Sequence, residues 1–371
     1  MTILALNSQG VRLISGGAFF SVQMSSVINP AGLQPTVTVV DNNDGTYTAS
    51  FTVTVSGTFS LSVTLGGQAI QGSPKSITVG PGPTLASTTV VSAAGGSVAT
   101  AGVAASMQIQ ARDEYGNRRS EGGDTFGLDV VEALTGARIH ASVHDLGDGS
   151  YNVLYTSTIS GAFRVDLMHS NTLMAVPGIN IVVAPARAHG PASVAEGLGL
   201  RRAVAGKAST ASVWLRDQYG NAVAPDDLLV TATLVLAPTP LTVPVETRKG
   251  SKNVQILFLA TQSGQYMLEV MANQAHVSSS PFHVRVSNGA IDPTHCTAHG
   301  FGTMQALAGS TGTFEISSRD AYMNNVSTGE AVFAVSMMHI ATFQRSFYDV
   351  FKEDGGIYSV QYNITLSLIH I

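Results

Sequence analysis

Three neighbouring side chains have the chemistry to bind a metal ion. His295, Cys296 and His299 place two imidazoles and one thiol within five positions, and these groups are good zinc ligands. A structural zinc site takes four ligands, and no fourth candidate lies close by in the sequence. Cys296 is also the single cysteine, which excludes a disulfide scaffold and paired-cysteine zinc or redox motifs. We therefore expect no metal and no cofactor.

A charged pair that occurs three times is the second candidate for chemistry. It stands in the pattern Arg-Asp-x-Tyr-Gly-Asn, whose third copy has lost the glycine. The residues are Arg112, Asp113 and Gly116, then Arg216, Asp217 and Gly220, then Arg319 and Asp320. A catalytic group would occur once, so we interpret the pair as a structural motif whose aspartate caps N–H groups of the following turn. No Ser/His/Asp set or nucleophile motif can be singled out, and we expect no enzyme.

These motifs mark a long internal repeat. Asp113, Asp217 and Asp320 lie 104 and 103 residues apart, which is the length of a domain. A weak earlier copy begins at Asn7. An Asp-Gly-x-Tyr or Gly-Gly-x-Tyr anchor keeps the same spacing and ends at Tyr47, Tyr151 and Tyr358. We therefore divide the 371 residues into repeat 1 (1–80), repeat 2 (81–184), repeat 3 (185–287) and repeat 4 (288–371).

The elements that position these motifs are predicted to be strands. Phe59, Leu61, Val63 and Leu65 alternate with small polar residues, and a period of two is typical of a half-buried strand. Similar runs follow at corresponding places in repeats 2 and 3. Helical spacing never persists for three turns. Short strands separated by Gly, Asn, Asp and Pro turns indicate an all-β fold, namely tandem immunoglobulin-like sandwiches without disulfides.

The charge and composition of the chain exclude some classes of binding partner. The chain carries 19 Lys and Arg against 24 Asp and Glu, a net charge of −5. Because no basic cluster is present, we expect no nucleic-acid partner. The uncharged run from Ser76 to Ala111 contains prolines, glycines and hydroxyl residues, and it is interpreted as strands and loops rather than a membrane span. We expect no small-molecule substrate, and the composition fixes no compartment.

The combination of anchors resembles the filamin (actin-binding-protein) repeat. Repeat 3 shows the pattern at Ala205-Gly206, Arg216 to Asn221, Gly264-Gln-Tyr266 and Ser280-Pro-Phe282, and repeat 1 adds Asp44-Gly-Thr-Tyr47 and Gly72-Ser-Pro74. The resemblance implies a non-enzymatic scaffold that binds proteins and is linked to actin cytoskeleton organisation. The alternative is a cell-surface adhesion protein, like the filamin-repeat gamete proteins of plants and algae.

The resemblance also implies where a partner would bind. Filamin repeats commonly offer the groove between their third and fourth strands, where an extended peptide adds as a further strand. The third strands are expected at about 125–131, 228–236 and 331–340. The candidate edge residues are Leu228 and Val230 in repeat 3, and Val332 and Val335 in repeat 4. The alternative is that both runs are core strands. Pro238, Pro240 and Pro244 suggest an interrupted neighbouring strand in repeat 3.

The two ends of the chain depart from the pattern. Repeat 1 begins inside its second strand, and repeat 4 loses the pattern after Tyr358, since Ser367 to Ile371 match nothing in the other copies. We expect a segment of a longer array, with an altered C-terminus as the alternative.

Overall fold

Strands dominate this computed structural model, which describes residues 1–28, 34–93, 98–170, 172–174, 180–327 and 331–365. In that part of the chain, helical structure is limited to single 3-10 turns at Ala86–Thr88, Gly190–Ala192, Leu198–Leu200, Asp227–Leu229, Phe301–Thr303 and Asp354–Gly356. Within those residues, no helix has the length and apolar character needed to cross a membrane. The chain forms two compact units, Met1–Ala184 and Pro185–Ile371. The segment from Ser367 to Ile371 lies outside the described residues.

Repeat 1 contains two facing sheets. Its strands are β1 Thr2–Leu4, β2 Phe20–Ser26, β3 Val37–Asp41, β4 Thr46–Phe51, β5 Gly57–Leu65, β6 Gln68–Ala69 and β7 Lys75–Val79. One sheet has the order β1-β4-β3, and the other places β5 between β2 on one side and β6 and β7 on the other. Tyr47 and Val63 lie in the core between them.

Repeat 2 joins its two sheets into one. Its strands are β8 Val90–Ala93, β9 Val98–Thr100, β10 Ala105–Gln110, β11 Phe126–Glu132, β12 Arg138–Asp145, β13 Ser150–Tyr155, β14 Gly161–His169, β15 Thr172–Met174 and β16 Asn180–Ala184. The order β8-β10-β13-β12-β11-β14-β16-β9 is continuous because β12 pairs with β13 through one half and with β11 through the other.

Repeat 3 has the same plan with two separate sheets. Its strands are β17 Val194–Glu196, β18 Arg202–Val204, β19 Ser209–Trp214, β20 Val230–Ala237, β21 Leu241–Val243, β22 Val245–Lys249, β23 Val254–Phe258, β24 Gly264–Ala272, β25 Ala275–His276 and β26 Phe282–Ser287. The sheet orders are β17-β19-β23-β22 and β18-β26-β24-β20-β21.

Repeat 4 supplies a smaller set of strands. They are β27 Thr297–His299, β28 Thr311–Ser317, β29 Val335–Met338, β30 Arg345–Tyr348, β31 Val350–Lys352 and β32 Ile357–Asn363. The first two and the last two form a sheet of order β27-β28-β32-β31, and β29 and β30 form a hairpin.

The predicted alternation of strand residues is confirmed, with one exception. Phe59, Leu61 and Val63 are 2%, 1% and 3% exposed, so one face of β5 lies in the core. Leu65 is wrong as a core residue, because it is 44% exposed at the end of the strand, where β5 pairs with the two-residue strand β6. A short hairpin strand covers too little of the sheet to bury the last position.

Candidate functional site

The outer edge of β20 in repeat 3 is the clearest candidate binding site. This third strand pairs with β24 along its whole length, from Val230 to Ala237. On its other side it pairs only through Leu234–Leu236, with β21. Among the described residues, 230–233 therefore have a neighbouring strand on one side only. We call the space between this segment and β22 the edge groove of repeat 3.

The backbone groups that face this groove follow from the hydrogen bonding on the other side. The carbonyl of Leu229 accepts a hydrogen bond from the N–H of Asn273, 2.8 Å away. In an antiparallel ladder, successive residues direct their peptide groups to alternate sides. The peptide groups of Thr231 and Thr233 therefore face β24, and those of Val230 and Ala232 face the groove.

Pro244 marks the point where the fourth strand leaves the third. The ladder between β20 and β21 ends at the pair Leu234–Val243, and Val245 already pairs with Phe258 of β23. A proline holds φ near −65°, whereas antiparallel strands prefer about −140°. This difference explains why the ladder stops immediately before Pro244 and the groove opens there.

Repeat 2 closes the corresponding edge. Its ladder between β11 and β12 pairs Leu128–Val131 with Arg138–Ala141, which extends two pairs further toward the start of the third strand than in repeat 3. Ion pairs reinforce it, because the carboxylate of Asp129 lies 2.9 Å from the Arg138 guanidinium and 2.6 Å from Nδ1 of His140. Arg138 also lies 3.4 Å from Asp166, which faces Asp129 across the sheet. The two carboxylates thus share a cation that the fourth strand supplies.

Of the two sequence-predicted residues of repeat 3, Val230 is the first residue of the groove segment and Leu228 lies before it. Val230 is only 2% exposed and its side chain packs in the core, so it offers a partner its backbone alone. Leu228 is 89% exposed but belongs to the turn Asp227–Leu229 instead of a strand. Asp226 forms that turn by accepting hydrogen bonds from the N–H groups of Leu228 and Leu229.

The candidate edge in repeat 4 is already occupied. Val335–Met338 pair with Arg345–Tyr348 over all four residues, and the Val335 side chain packs against a core cluster. Val332 is 95% exposed and lies before the strand begins. The expected third strand over 331–340 is therefore reduced to four residues.

Sequence reasoning missed an edge in repeat 1. Within the described residues, β2 pairs only with β5, so Phe20–Ser26 present a second strand edge beside β3. The alternation of Phe20, Val22 and Met24 with polar residues was the available signal.

The recurrent aspartate lies at the centre of a repeated turn. One carboxylate oxygen of Asp113 accepts hydrogen bonds from the N–H groups of Tyr115 and Asn117, 3.0 and 2.9 Å away. The other accepts from the N–H of Gly82 and from the Asn117 side chain, at 2.8 and 2.7 Å. The Arg112 guanidinium donates to the carbonyl of Gly116. Asp217 and Asp320 make the corresponding bonds in repeats 3 and 4.

These aspartates are charged despite their burial. Asp113, Asp217 and Asp320 are each at most 1% exposed. Burial opposes the charge, but the hydrogen bonds from the asparagine side chain and the backbone N–H groups outweigh it, so the pKa of each carboxyl is below its ordinary value. Each carboxylate accepts hydrogen bonds from the following turn and from the linker before the repeat, so it acts as a structural cap.

The turn that follows the motif aspartate is also formed in repeats 1 and 4, where the motif residues have changed. In repeat 1 Asn7 takes the place of the aspartate and accepts from the N–H groups of Gln9 and Val11, both at 3.0 Å. In repeat 4 the lost glycine is replaced by Met323, which adopts a φ of +68°, a conformation that costs a side-chain-bearing residue free energy.

The histidine and cysteine side chains near residue 296 have other partners. Sγ of Cys296 lies 3.3 Å from the carbonyl of Asp292 and accepts from the N–H of Arg319 at 3.4 Å. Ser193 makes the same two bonds in repeat 3, so the thiol occupies the place of a hydroxyl. Across the described part of the chain, no group of three or more His, Cys, Asp or Glu side chains is placed to hold a metal ion.

Comparison with known proteins identifies the family of repeats 1 to 3. The family model for the Filamin/ABP280 repeat matches residues 2–76, 83–179 and 188–283. Filamin-C of Rattus norvegicus is 27% identical over 273 residues, which cover 70% of this chain and 9% of that protein. Filamin-A of Drosophila melanogaster is 30% identical over 155 residues, covering 41% of this chain and 6% of that protein. The chain thus spans less than a tenth of the length of these filamins.

Solved structures that align with this chain include two bacterial proteins. The Escherichia coli adhesin FdeC aligns over 77% of this chain and 87% of its own, with a TM-score of 0.47 and 21% identity. Invasin, a bacterial integrin-binding protein, aligns over 98% of this chain and 70% of its own, with a TM-score of 0.48 and 14% identity. The family match covers more than half of the sequence, and the chain belongs to the Filamin/ABP280 repeat family.

Proposed function

We propose that this chain is a non-enzymatic, protein-binding segment made of four filamin-type domains, and that repeat 3 binds an extended peptide in its edge groove. Binding of this kind adds a strand to a sheet. The main-chain hydrogen bonds supply affinity, and the side chains that line the groove supply selectivity. Repeat 1 offers a second edge of the same kind at β2.

The observation that carries this proposal is the segment 230–233, which has a neighbouring strand on one side only in the described structure. The peptide groups of Val230 and Ala232 face the groove and are the donors and acceptors that an added strand would use. An exposed edge of this kind is a template for pairing with another chain.

The side chains around the segment suit a peptide that alternates apolar and polar residues. Ala232 is small, and it packs with Leu229 and Val245 at the margin of the core, which leaves a shallow apolar floor. Thr231 and Thr233 are exposed on the opposite face. Because side chains of a strand alternate between faces, apolar residues of the peptide would contact the floor and polar ones the solvent.

A selection for peptides on the full chain tests the proposal. A random peptide library displayed on phage is selected against the immobilised protein, and the enriched peptides are synthesised. We expect Ala232→Pro to abolish their binding, because the N–H that it removes faces the groove and is not one that pairs with β24. Thr233→Ala, whose peptide group faces β24, is the matched control and should retain binding.

Binding that survives Ala232→Pro, or peptides that protect only amides outside repeats 1 and 3 from hydrogen exchange, would refute the groove as the site. Circular dichroism of the variant checks that its fold is retained.

The wider role of the whole protein is proposed from the family. The named relatives are filamins, which supports a link to actin networks, while a cell-surface adhesion protein is the alternative. The sequon Asn325-Val-Ser has its asparagine and serine exposed in repeat 4, so it is open to a glycosyltransferase in an exported protein. Localising a tagged full-length protein and analysing glycans at Asn325 distinguishes the two, since a glycan there would contradict the actin scaffold.

A further inference from the structure

The last residue of the Arg-Asp-x-Tyr-Gly-Asn motif contacts a neighbouring repeat. Nδ2 of Asn117, in repeat 2, donates a hydrogen bond to the carbonyl of Thr54 in repeat 1, 2.8 Å away. Its Oδ1 accepts from the N–H of Ser56, also in repeat 1, at 2.9 Å. The second N–H of the same amide donates to Asp113. One side chain therefore joins the capped turn of repeat 2 to the loop before β5 of repeat 1.

The same contact recurs between repeats 4 and 3. Nδ2 of Asn324 donates to the carbonyl of Thr261 at 2.8 Å, and its Oδ1 accepts from the N–H of Ser263 at 2.8 Å. Asn324 is 8% exposed and also donates to Asp320. Every residue of this junction lies 207 positions after its counterpart in the first, so two separate junctions have one geometry.

The chain entering each repeat is fixed by the same aspartate. The N–H of Gly82 donates to Asp113 at 2.8 Å, and the Arg119 guanidinium donates to the carbonyl of Gly82 at 2.9 Å. Gly289 donates to Asp320 at 2.7 Å in repeat 4. Hydrogen bonds therefore run from the linker through the aspartate and the asparagine to the preceding repeat.

A second contact supports the junction between repeats 3 and 4. The ring of Tyr322, from the same motif, lies against Gly206 so closely that a Cβ at that position would overlap it. Gly206 has a φ of +75°. Gly206 of repeat 3 and the ring of Tyr322 in repeat 4 are thus complementary in shape.

We propose that this motif is an inter-repeat joint, in which the asparagine amide clamps repeat 2 to repeat 1 and repeat 4 to repeat 3 and limits bending within each pair. Domains connected by a short linker alone move relative to one another by default. The clamp uses both N–H groups and the oxygen of one amide, so loss of the Asn117 side chain leaves the carbonyl of Thr54 and the N–H of Ser56 without that partner while the linker stays intact. The partner that this surface fits is the neighbouring repeat of the same chain.

Distance measurements on the full chain test the joint. Cys296→Ser removes the native thiol and restores the hydroxyl found at Ser193, and Ser50→Cys with Ser142→Cys then places one spin label in each of repeats 1 and 2. Both sites are exposed. We expect one narrow distance distribution in this background and a broad one after Asn117→Ala, by double electron–electron resonance.

Asn7→Ala is the matched control, because Asn7 caps the equivalent turn of repeat 1 and forms its side-chain hydrogen bonds within that turn. The control should keep the narrow distribution. An unchanged distribution in Asn117→Ala, or equal broadening in Asn7→Ala, would overturn the joint. If Asn117→Ala unfolds repeat 2, Ser56→Pro decides, because it removes the donor on the repeat 1 side and leaves the motif untouched.

Discussion

Repeats 2 and 3 have the same order of strands, but the outer edge of the third strand is covered in repeat 2 and partly open in repeat 3. In repeat 2 the fourth strand covers the third through Leu128–Val131, and in repeat 3 the corresponding ladder covers only Leu234–Leu236. The covered edge carries a buried Asp129 paired with Arg138 and His140. The uncovered edge carries Thr233 and Pro244 at the matching positions. A few residues on one edge therefore separate a repeat whose third strand is covered from one whose third strand is open on one side.

A second difference lies at the start of the third strand. In repeat 2 the hydroxyl of Tyr151 accepts a hydrogen bond from the N–H of Asp124 at 3.0 Å, and its ring meets Phe126 edge-on with centroids 4.8 Å apart. Repeat 3 has Val254 and Val230 at those places, which pack without a hydroxyl. Strand β11 is thus tied to β13 by a polar contact that β20 lacks.

The largest effect is expected from Val230→Lys. Val230 is buried, and an unpaired charge there should lower the free energy of unfolding of repeat 3 by about 4 kcal/mol. The neighbouring exposed Thr231→Lys is the control and should change it by less than about 0.5 kcal/mol. Trp214, the single tryptophan, lies in repeat 3 and reports its unfolding by fluorescence in denaturant. Equal effects of the two substitutions would show that Val230 is not a core residue.

A smaller effect is expected when Pro244 of repeat 3 is replaced by histidine, the residue at the matching position of repeat 2 (His140). Pro244→His should let the ladder extend toward Ala232 and slow the hydrogen exchange of its amide about fivefold, the equivalent of ~1 kcal/mol for one net hydrogen bond. Pro240→His, in the turn before β21, is the control and should leave that amide unchanged. Exchange is followed by NMR at single amides. An unchanged rate in Pro244→His would mean that another residue ends the ladder.

The smallest difference between repeats 2 and 3 is expected in how their stability depends on acidic pH. The folded pKa values of Asp113 and Asp217 are lowered, so their contribution to stability is complete above about pH 4, the unfolded value. It is lost as the pH falls below that value toward the folded pKa. Repeats 2 and 3 should therefore weaken in parallel as the pH falls below about 4, as measured by hydrogen exchange of each repeat. Weakening of one repeat alone would contradict equivalent roles for the two carboxylates.

The sandwich architecture was predictable because period-two alternation marks long strands such as β5 and β24, whose alternate residues lie in the cores. The edge was harder to predict. The run of apolar residues at 228–236 contains an exposed turn residue, a buried core residue and a free backbone segment, and hydrophobicity alone does not separate them. Pro244 gave the correct hint of an interrupted neighbour, since the fourth strand does change partner there.

The contacts between neighbouring repeats could not be predicted from the sequence, for a different reason. Recurrence of the motif indicates a structural role for Asp113, but it does not reveal whether Asn117 bonds within its own repeat or to the one before it. The bonds of the asparagine within its own repeat and its bonds to the preceding repeat would produce the same spacing in the sequence. The place of Cys296, by contrast, could have been found from the sequence, because it lies 103 residues after Ser193.

The shared strand β12 has a mechanical consequence for a chain under tension. In repeat 2, sliding one sheet over the other requires breaking the hydrogen bonds between β11 and β12, which fail abruptly once stretched beyond their short range. In repeat 3 the same displacement at this edge is opposed chiefly by apolar packing, which yields gradually as surface becomes exposed. When the protein is pulled along its length, repeat 2 would thus resist and then fail abruptly at this edge, whereas repeat 3 would yield gradually.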